Sequence, residues 1–511
     1  MSMGRTLSVA VLGLDGQVVE VEANLTSQTP DITLIGLPDT SLREAEQRIK
    51  SAVLNSGGEL PRRRLVVNLI PAGLPKQGTT FDLAIAVSAM VTSGVIPAES
   101  ILDTVHLGEL GLDGRLRPML GALPAVRAAA LQGVRRVIVP HANKAEAGLV
   151  ADIEVLSFVS LNEVLRFHGA QITELQQVPV EQSLPQALHS DAAEELDLHD
   201  IVGNADAVQA ALVAAAGGHN LLLIGPPGSG KSMIAQRFVD LLPDLSDEHA
   251  LEASCLLSLW GGQRVTTLQR RPPLVAPHHT ATPVAMIGGG STQIRPGAAV
   301  MASHGVLFLD EATEFSRLSL DSLRQPLETG NVQIHRARQS IQYPAKFQLL
   351  MASNPCPCGK YSANSAECSC PTAQRQRYLA RLSGPLLDRV DLRVHTFKVT
   401  QAQLNLHQEN PGISSAEAQE RVQNARLRAA QRLAATAWKL NAQVNGSWLR
   451  GVARLSPKTT RTLDLALDQG RITMRGYDRI LRVAWTLADL AERAQPAEHD
   501  IGRALYLRQA V

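Results

Sequence analysis

The sequence predicts an α/β protein built on an open, largely parallel sheet, with an α+β domain ahead of it and an all-helical domain behind. Two stretches predict the sheet. Leu221-Leu-Leu-Ile224 is a short apolar run that feeds Gly225-Pro226-Pro227-Gly228-Ser229-Gly230-Lys231-Ser232 and then a helical pattern. Gly305-Val-Leu-Phe-Leu309 is a second buried-strand pattern, closing on Asp310 and Glu311. In open α/β sheets ligands sit beyond the carboxyl ends of the strands, so both polar strand ends belong to one edge. Glycines let backbone N–H groups close around phosphate oxygens, the following helix points its positive end at them, and Lys231 adds a point charge. The pattern implies a site for ATP, with Gly225 through Ser232 as the phosphate cradle. Ser232 and Asp310 are expected to hold Mg2+, and Glu311 to polarise an attacking water.

Composition sets the outer bounds. At 511 residues there is room for about three domains, each with its own core. Hydrophobic residues make up 45% and charged residues 19%, with a net charge of only +1. A nucleic-acid partner must therefore be held by local clusters of arginine and lysine, not by the overall field. No apolar run reaches the roughly 18 residues of a membrane span, and residues 1–16 lack the apolar core of a signal peptide, so no membrane is expected and the expected location is cytoplasmic.

Within residues 1–175, positions 5 to 25 alternate apolar and polar around Asp15-Gly16, a hairpin turn signal. A helix is expected over Leu42–Leu54, a strand over Leu65–Ile70 and a core helix over Phe81–Val91. Leu112-Asp113-Gly114-Arg115-Leu116 marks a second hairpin, followed by a helix over Ala122–Leu131 and a strand over Val134–Val139. Arg62-Arg63-Arg64 reads either as a solvated charge run or as a phosphate contact. Residues 176–199 are polar and punctuated by proline, as a linker is. The sheet domain then occupies residues 200–400, with a helix over Ala205–Ala216, and a helical domain occupies residues 401–511.

Long inserts interrupt the sheet domain. Arg270 to Gly297 is too long and glycine-rich for a plain connection, and such loops in compact domains are functional or disordered. Its adjacent His278 and His279 have no cysteine or acidic neighbour in sequence, a weak signal for metal. After the acidic strand comes a helix over Leu318–Thr329, then Val332 to Tyr343, which alternates like a hairpin. Arg336 and Arg338 near its tip have the reach to grip a DNA backbone without sequence preference, or to pair with surface carboxylates. Cys356, Cys358, Cys368 and Cys370 form two Cys-x-Cys pairs in a polar loop, the donor set of a closed structural Zn2+ site. A redox-sensitive thiol cluster and buried structural cysteines are the other readings. Cys255, on an apolar helical pattern, is expected in a core. Helices are expected over Ala416–Leu440, Leu463–Leu467 and Tyr477–Ala494, with Gly470 and Gly476 as breakers.

Two resemblances add to this. Pro71 to Asp82, and the stretch Gly121 to Pro140, resemble the proteolytic domain of the Lon family, whose catalytic serine position falls on Thr80 and whose lysine position falls on Pro124. Without an amine to take its proton a hydroxyl stays a weak nucleophile, so the resemblance implies a non-proteolytic relative serving as scaffold or DNA guide. Pro277-His-His-Thr280, Gly288-Gly-Gly290, His304 to Glu311, Asn354-Pro-Cys-Pro-Cys-Gly359 and Ser383 to Asp391 resemble the Mg-chelatase-like branch of the AAA+ ATPases. Within that branch they resemble the YifB/ComM family of competence-associated branch-migration helicases.

This likeness spans nearly the whole chain and implies an AAA+ P-loop ATPase core, a helical C-terminal lid and an N-terminal Lon-protease-like α+β domain. It further implies a hexameric, ATP-driven DNA motor acting in homologous recombination during natural transformation, with recombination proteins as further partners. By the same resemblance Asn354 matches the polar sensor of the attacking water, Arg389 the finger inserted into a neighbour's ATP, and Arg475 the second sensor. For Arg389 a structural pair with Asp388 or Asp391 is the competing reading. For the whole chain it is an ATPase that remodels a protein partner, as in magnesium chelatase.

Overall fold

The alternation in the first 26 residues folds as β1 (Gly4–Leu12) and β2 (Asp15–Thr26), antiparallel with Leu12 opposite Asp15. The turn is therefore Gly13-Leu14, and the expected Asp15-Gly16 turn lies inside β2 instead. Gly13 has φ +67°, the left-handed backbone that a two-residue hairpin turn demands. The computed structural model describes residues 3–26, 31–36, 39–71, 73, 74, 76, 79–180, 196–260, 265–290, 294–336, 339–361 and 368–508. The expected linker falls largely on residues 181–195, outside the described residues. By contacts the chain divides into two units, residues 1–189 with 247–269, and residues 190–246 with 270–511.

In the first unit β3 (Ile32–Ile35), α1 (Asp39–Asn55), β4 (Arg64–Ile70) and α2 (Asp82–Thr92) follow. Then come β5 (Thr104–His106), β6 (Glu109–Leu110), β7 (Leu116–Arg117), α3 (Ala122–Leu131), β8 (Arg136–Pro140), α4 (Lys144–Ala147), β9 (Glu154–Phe158) and α5 (Leu161–Phe167). Seven strands form one sheet in the order β3-β4-β2-β1-β5-β8-β9. Every residue of α2 is buried, as an apolar circumference requires. The second hairpin is the β6–β7 pair.

In the second unit the chain runs α6 (Ala205–Gly217), β10 (Leu221–Ile224) and α7 (Lys231–Phe238), then leaves through α8 (Asp247–Trp260). It returns with β11 (Leu274–Val275), α9 (Pro283–Ile287), β12 (Gly288–Gly289), β13 (Arg295–Pro296), α10 (Ala298–Met301), β14 (Val306–Leu309), α11 (Arg317–Ser322) and α12 (Arg324–Thr329). Next are β15 (Asn331–Arg336), β16 (Gln339–Pro344), β17 (Gln348–Ser353), α13 (Thr372–Leu379), α14 (Gly384–Leu387) and β18 (Leu392–His395). Six helices close the chain: α15 (Gln401–Glu409), α16 (Ser415–Arg432), α17 (Gly446–Arg450), α18 (Pro457–Asp468), α19 (Met474–Leu490) and α20 (Glu498–Tyr506).

Five parallel strands stand in the order β11-β14-β17-β10-β18. Leu221 and Leu223 of β10 enter one core with α6 and the C-terminal helices, while Leu222 and Ile224 enter another on the opposite face with Met286, Leu307 and Leu320. Burial on both faces explains why these strands read as unbroken apolar runs. Three helices differ from expectation. The helix expected over Leu318–Thr329 breaks at Leu323 into α11 and α12. The one expected to reach Leu440 ends at Arg432, where the guanidinium grips the buried Asp489 through two hydrogen bonds of 2.5 and 2.7 Å. Gly476 lies inside α19, donating its N–H to the capping hydroxyl of Thr473, so only Gly470 acts as a breaker.

α8 belongs to the first unit although its sequence lies between the phosphate-loop helix and the acidic strand. It packs on α3, where Gly121 N–H donates to Ser258 O at 3.2 Å and Cys255 is buried. At its root Leu245 N–H donates to Arg270 O at 2.7 Å, closing the two connecting segments into a stem.

The first unit also buries a chain of polar groups that includes two imidazoles. Thr6 Oγ1 lies 2.8 Å from His106 Nδ1, His106 Nε2 lies 3.0 Å from His168 Nε2, and His168 Nδ1 lies 3.0 Å from Ser100 O. A carbonyl accepts only, so His168 Nδ1–H donates to it. His106 Nε2–H then donates to His168, and the Thr6 hydroxyl donates to His106, which leaves both rings neutral. Burial, reinforced by His168, pushes His106 down to about 3, and burial pushes His168 down to about 4. Below the ordinary value of 6.5 the unfolded chain takes up protons that the folded chain refuses. This unit should therefore lose stability as pH falls from about 6.5 towards 4, at up to ~1.4 kcal/mol per pH unit for each imidazole. Amide exchange in β1 and β5 reads this, and His168→Gln should make the dependence shallower by about one proton. Equal slopes in the two proteins would refute the account.

Candidate active site

β10 lies between β17 and β18, with Ile224 level with Ser353 on one side and His395 on the other. Leu309 at the end of β14 is level with Met351 of β17. The turn after β10, Asn354 after β17 and Asp310 after β14 consequently leave the sheet at one edge. Gly225 has no room for a side chain, since a Cβ there would stand 2.0 Å from Thr396 Oγ1. Ser229 Oγ lies 2.7 Å from the same hydroxyl. Asn204 ties the loop to the strand beside it, donating to Ser229 O (3.2 Å) and Phe397 O (3.0 Å) and accepting from Phe397 N–H (2.7 Å).

Lys231 opens α7 and is almost fully buried. Its ammonium donates to Gly225 O at 2.7 Å, Pro226 O at 2.9 Å and Asn354 Oδ1 at 3.4 Å. Burial lowers its pKa, opposed by the charges of Asp310 and Glu311. Ser232 Oγ donates to Asp310 Oδ2 at 2.9 Å, so the two oxygens expected to hold Mg2+ are already side by side. Glu311 stands in the left-handed region at φ +49°, its N–H on Asp310 Oδ1 at 2.9 Å and its side chain more than half exposed. A non-glycine residue is uncommon there and is held in that conformation at a cost in strain.

His279 was missed as a member of this site. Its Nδ1 stands 3.5 Å from Glu311 Oε2, and its ring stacks on His278 at 4.1 Å between centroids. The sequence signal is the Pro277-His278-His279-Thr280 run, which carries the chelatase-like resemblance and a weak metal signal but no role for His279 beside Glu311. Among the described residues the four cysteines are the one group with metal-ligating geometry, and neither histidine joins one.

Among the described residues neither Arg389 nor Arg475 forms a hydrogen bond or ion pair with Lys231, Ser232, Asp310, Glu311 or Asn354. Arg389, in the turn after α14, donates to Pro385 O and pairs with Glu328 of α12. Neither Asp388 nor Asp391 is its partner. Asp391 is buried, which pushes its pKa up, but Arg479 and His219 outweigh this and hold it well below the usual carboxylate range. Burial lowers the pKa of Arg389, and Arg324, Arg479 and Arg475 add repulsion, so four guanidiniums share one region. Arg475 is exposed at the start of α19 and forms no hydrogen bond or ion pair among the described residues.

The insert hairpins are β12–β13 and β15–β16, and a Cβ on Gly288 would come within 2.8 Å of Ile334 Cδ1, so the two pack together. Arg336 ends β15 opposite Gln339, and Arg338 lies outside the described residues.

Cys356 and Cys358 follow β17, and Cys368 and Cys370 precede α13. Cys356 Sγ is 3.3 Å from Cys358 Sγ and 3.7 Å from Cys368 Sγ, Cys358 is 3.7 Å from Cys368, and all four sulfurs lie within 4.8 Å of one another. A tetrahedral zinc with Zn–S near 2.3 Å sets its sulfurs about 3.8 Å apart, so the donor set and its spacing fit that ion. Cys356 is buried, just past the end of the core strand β17, whereas Cys358 is exposed and Cys368 and Cys370 are half-buried.

The fold and this edge define a protein with the ATPase-type domains of magnesium chelatase. The protein-family model "Magnesium chelatase, subunit ChlI" matches residues 197–404, "Subunit ChlI of Mg-chelatase" matches 21–143, and "Magnesium chelatase, subunit ChlI C-terminal" matches 412–508. The chain is 38% identical over 512 residues to competence protein ComM of Haemophilus influenzae, covering 100% of this chain and 98% of that protein. To YifB of Escherichia coli it is 39% identical over 490 residues, 96% of this chain and 94% of that protein. The chain belongs to the YifB/ComM family of Mg-chelatase-like proteins. Lon protease of Mycolicibacterium smegmatis is 28% identical over 149 residues, 28% of this chain and 19% of that protein, which supports the front-domain likeness in part. No helix among the described residues is long and apolar enough to cross a membrane.

The two arginines of the Asp391 neighbourhood make opposite predictions. Arg479→Ala strands a buried carboxylate and should cost about 3–5 kcal/mol of stability. Arg389→Ala releases only a Glu328 that is 61% exposed and should cost under about 1 kcal/mol. Denaturant unfolding of both variants checks this, and equal losses would contradict it.

Proposed function

We propose that the chain is a ring-forming, hexameric ATP hydrolase that moves on DNA and promotes branch migration of recombination intermediates during natural transformation. The observation that carries the hydrolytic part is the contact of Lys231 with Asn354 and of Ser232 with Asp310 at one sheet edge. In this reading Gly225 to Ser232 cradle the phosphates, with Lys231 turning from the loop carbonyls to the β/γ-phosphate oxygens. Ser232 and Asp310 hold Mg2+, which neutralises charge on the phosphates. Asn354 and Glu311 orient the attacking water, Glu311 accepts its proton, and His279 holds the Glu311 carboxylate in place. Arg389, with the nearby Arg324, faces a neighbouring subunit's γ-phosphate, making turnover depend on assembly, and Arg475 serves as the second sensor from the lid.

Full-length likeness to a competence protein supports DNA as the substrate, and in this reading Arg336 and Arg338, at the sequence positions around the β15–β16 turn, grip its backbone. Recombination proteins are the expected further partners, and the cytoplasm the expected place. The four cysteines hold Zn2+. The front domain, lacking an amine at Pro124, guides or scaffolds and does not cleave. The chelatase-type family matches favour a second reading, the remodelling of a protein partner.

ATPase rate against concentration of a four-way DNA junction, with linear duplex and no DNA as controls, separates the two. Junction stimulation should appear in the wild type and fall by about 10³-fold in Arg389→Ala. A rate indifferent to every DNA would favour the protein-remodelling reading. Lys231→Ala and Glu311→Gln should abolish turnover, and robust hydrolysis in either would sink the assignment. His279→Ala should lower turnover about tenfold while nucleotide affinity stays unchanged.

A further inference from the structure

The segment after β17 touches the nucleotide site twice. Asn354 is the first residue beyond the strand, and its Oδ1 accepts from the Lys231 ammonium at 3.4 Å. Five residues on, Gly359 turns the chain back in a left-handed conformation, φ +73°, with its N–H on Cys356 O at 2.9 Å. This turn rests on the phosphate loop, for a Cβ at Gly359 would stand 2.8 Å from Pro227 Cδ and 2.9 Å from its Cγ. Pro226, next in the loop, gives its carbonyl to the same ammonium at 2.9 Å. One short turn therefore contacts the phosphate loop directly and positions the side chain that meets its lysine.

The turn itself carries two cysteines of the four-sulfur group: Cys356 opens it and Cys358 precedes Gly359, and Cys368 Sγ closes on both at 3.7 Å. The Arg375 guanidinium of α13 lies 4.0 Å from the Tyr361 ring centroid, tying the loop's outgoing limb to its return. A bound ion that joins four sulfurs fixes the two segments carrying them relative to one another.

We infer that zinc held by Cys356, Cys358, Cys368 and Cys370 controls the affinity of the phosphate loop for nucleotide, by fixing the Gly359 turn against Pro227 and Asn354 against Lys231. The inference rests on the ATPase reading and adds a regulator to it. Zinc-loaded chain binds ATP tightly, whereas metal loss or capture of the thiols loosens the cradle itself, before any step of hydrolysis or contact with DNA.

The test uses the full-length protein and a fluorescent N-methylanthraniloyl-ATP, with zinc content measured in parallel. Zinc is removed with a thiol-directed mercurial and a chelator, the thiols are regenerated by reduction, and zinc is then returned. Stripping should weaken analogue binding about tenfold (~1.4 kcal/mol), and returned zinc should restore it, with circular dichroism confirming that the fold persists. Gly359→Ala keeps all four sulfurs and should retain zinc while binding the analogue about tenfold more weakly. Unchanged affinity after stripping, wild-type affinity in Gly359→Ala, or failure of the chain to hold zinc would each overturn the inference alone. Absence of analogue binding by the zinc-loaded wild type would overturn the ATPase reading and the inference with it.

Discussion

Parallel pairing of β10 with β17 and β18 is the constraint on which this molecule turns. Parallel strands finish level at their carboxyl ends, and three of the ends here are chemically loaded: the phosphate loop after β10, Asn354 after β17 and, one strand further, Asp310 after β14. Antiparallel neighbours would have sent these groups to opposite edges. The apolar character of the strands serves that alignment, since burial on both faces holds them in register while only their ends stay free for polar work.

What could be read from the chain alone was whatever is local. Gly225 to Ser232 announces itself because glycine, lysine and serine at fixed offsets carry one chemistry. The acidic end of β14 and the four clustered cysteines are equally contiguous. Less legible were features set by distant residues. Arg389 sits beside Asp388 and near Asp391 in sequence, yet its carboxylate is Glu328, and Asp391 answers to Arg479 and His219. His279 stands 32 positions before Glu311, with no periodicity linking them, and only the edge strand β11 beside β14 makes them neighbours. Turn chemistry misled once: Asp15-Gly16 is a strong hairpin signal, but Gly13 two residues earlier suits the register that buries Val19, Val21 and Ala23.

The front unit shows the same economy applied to a different end. The position that the Lon resemblance assigns to a catalytic lysine is Pro124, inside the first turn of α3. Thr79, next to the position it assigns to the serine, donates its hydroxyl to Glu109. Polar groups that remain deep inside, such as the His106–His168 pair, are satisfied by one another and by Ser100 O, which fits a structural part better than a reactive one.

α8 gives the covalent topology an unusual property. Because this helix is loaned to the front unit from the middle of the other unit's sequence, the polypeptide passes between the two units three times: once in the stretch around residue 190, once after Ser246 and once before Arg270. No single cut separates them, and a gene fragment ending at the first crossing would encode a front domain with the α3 surface stripped of its cover. A single fusion point therefore cannot join or part the two units with α8 in place on α3.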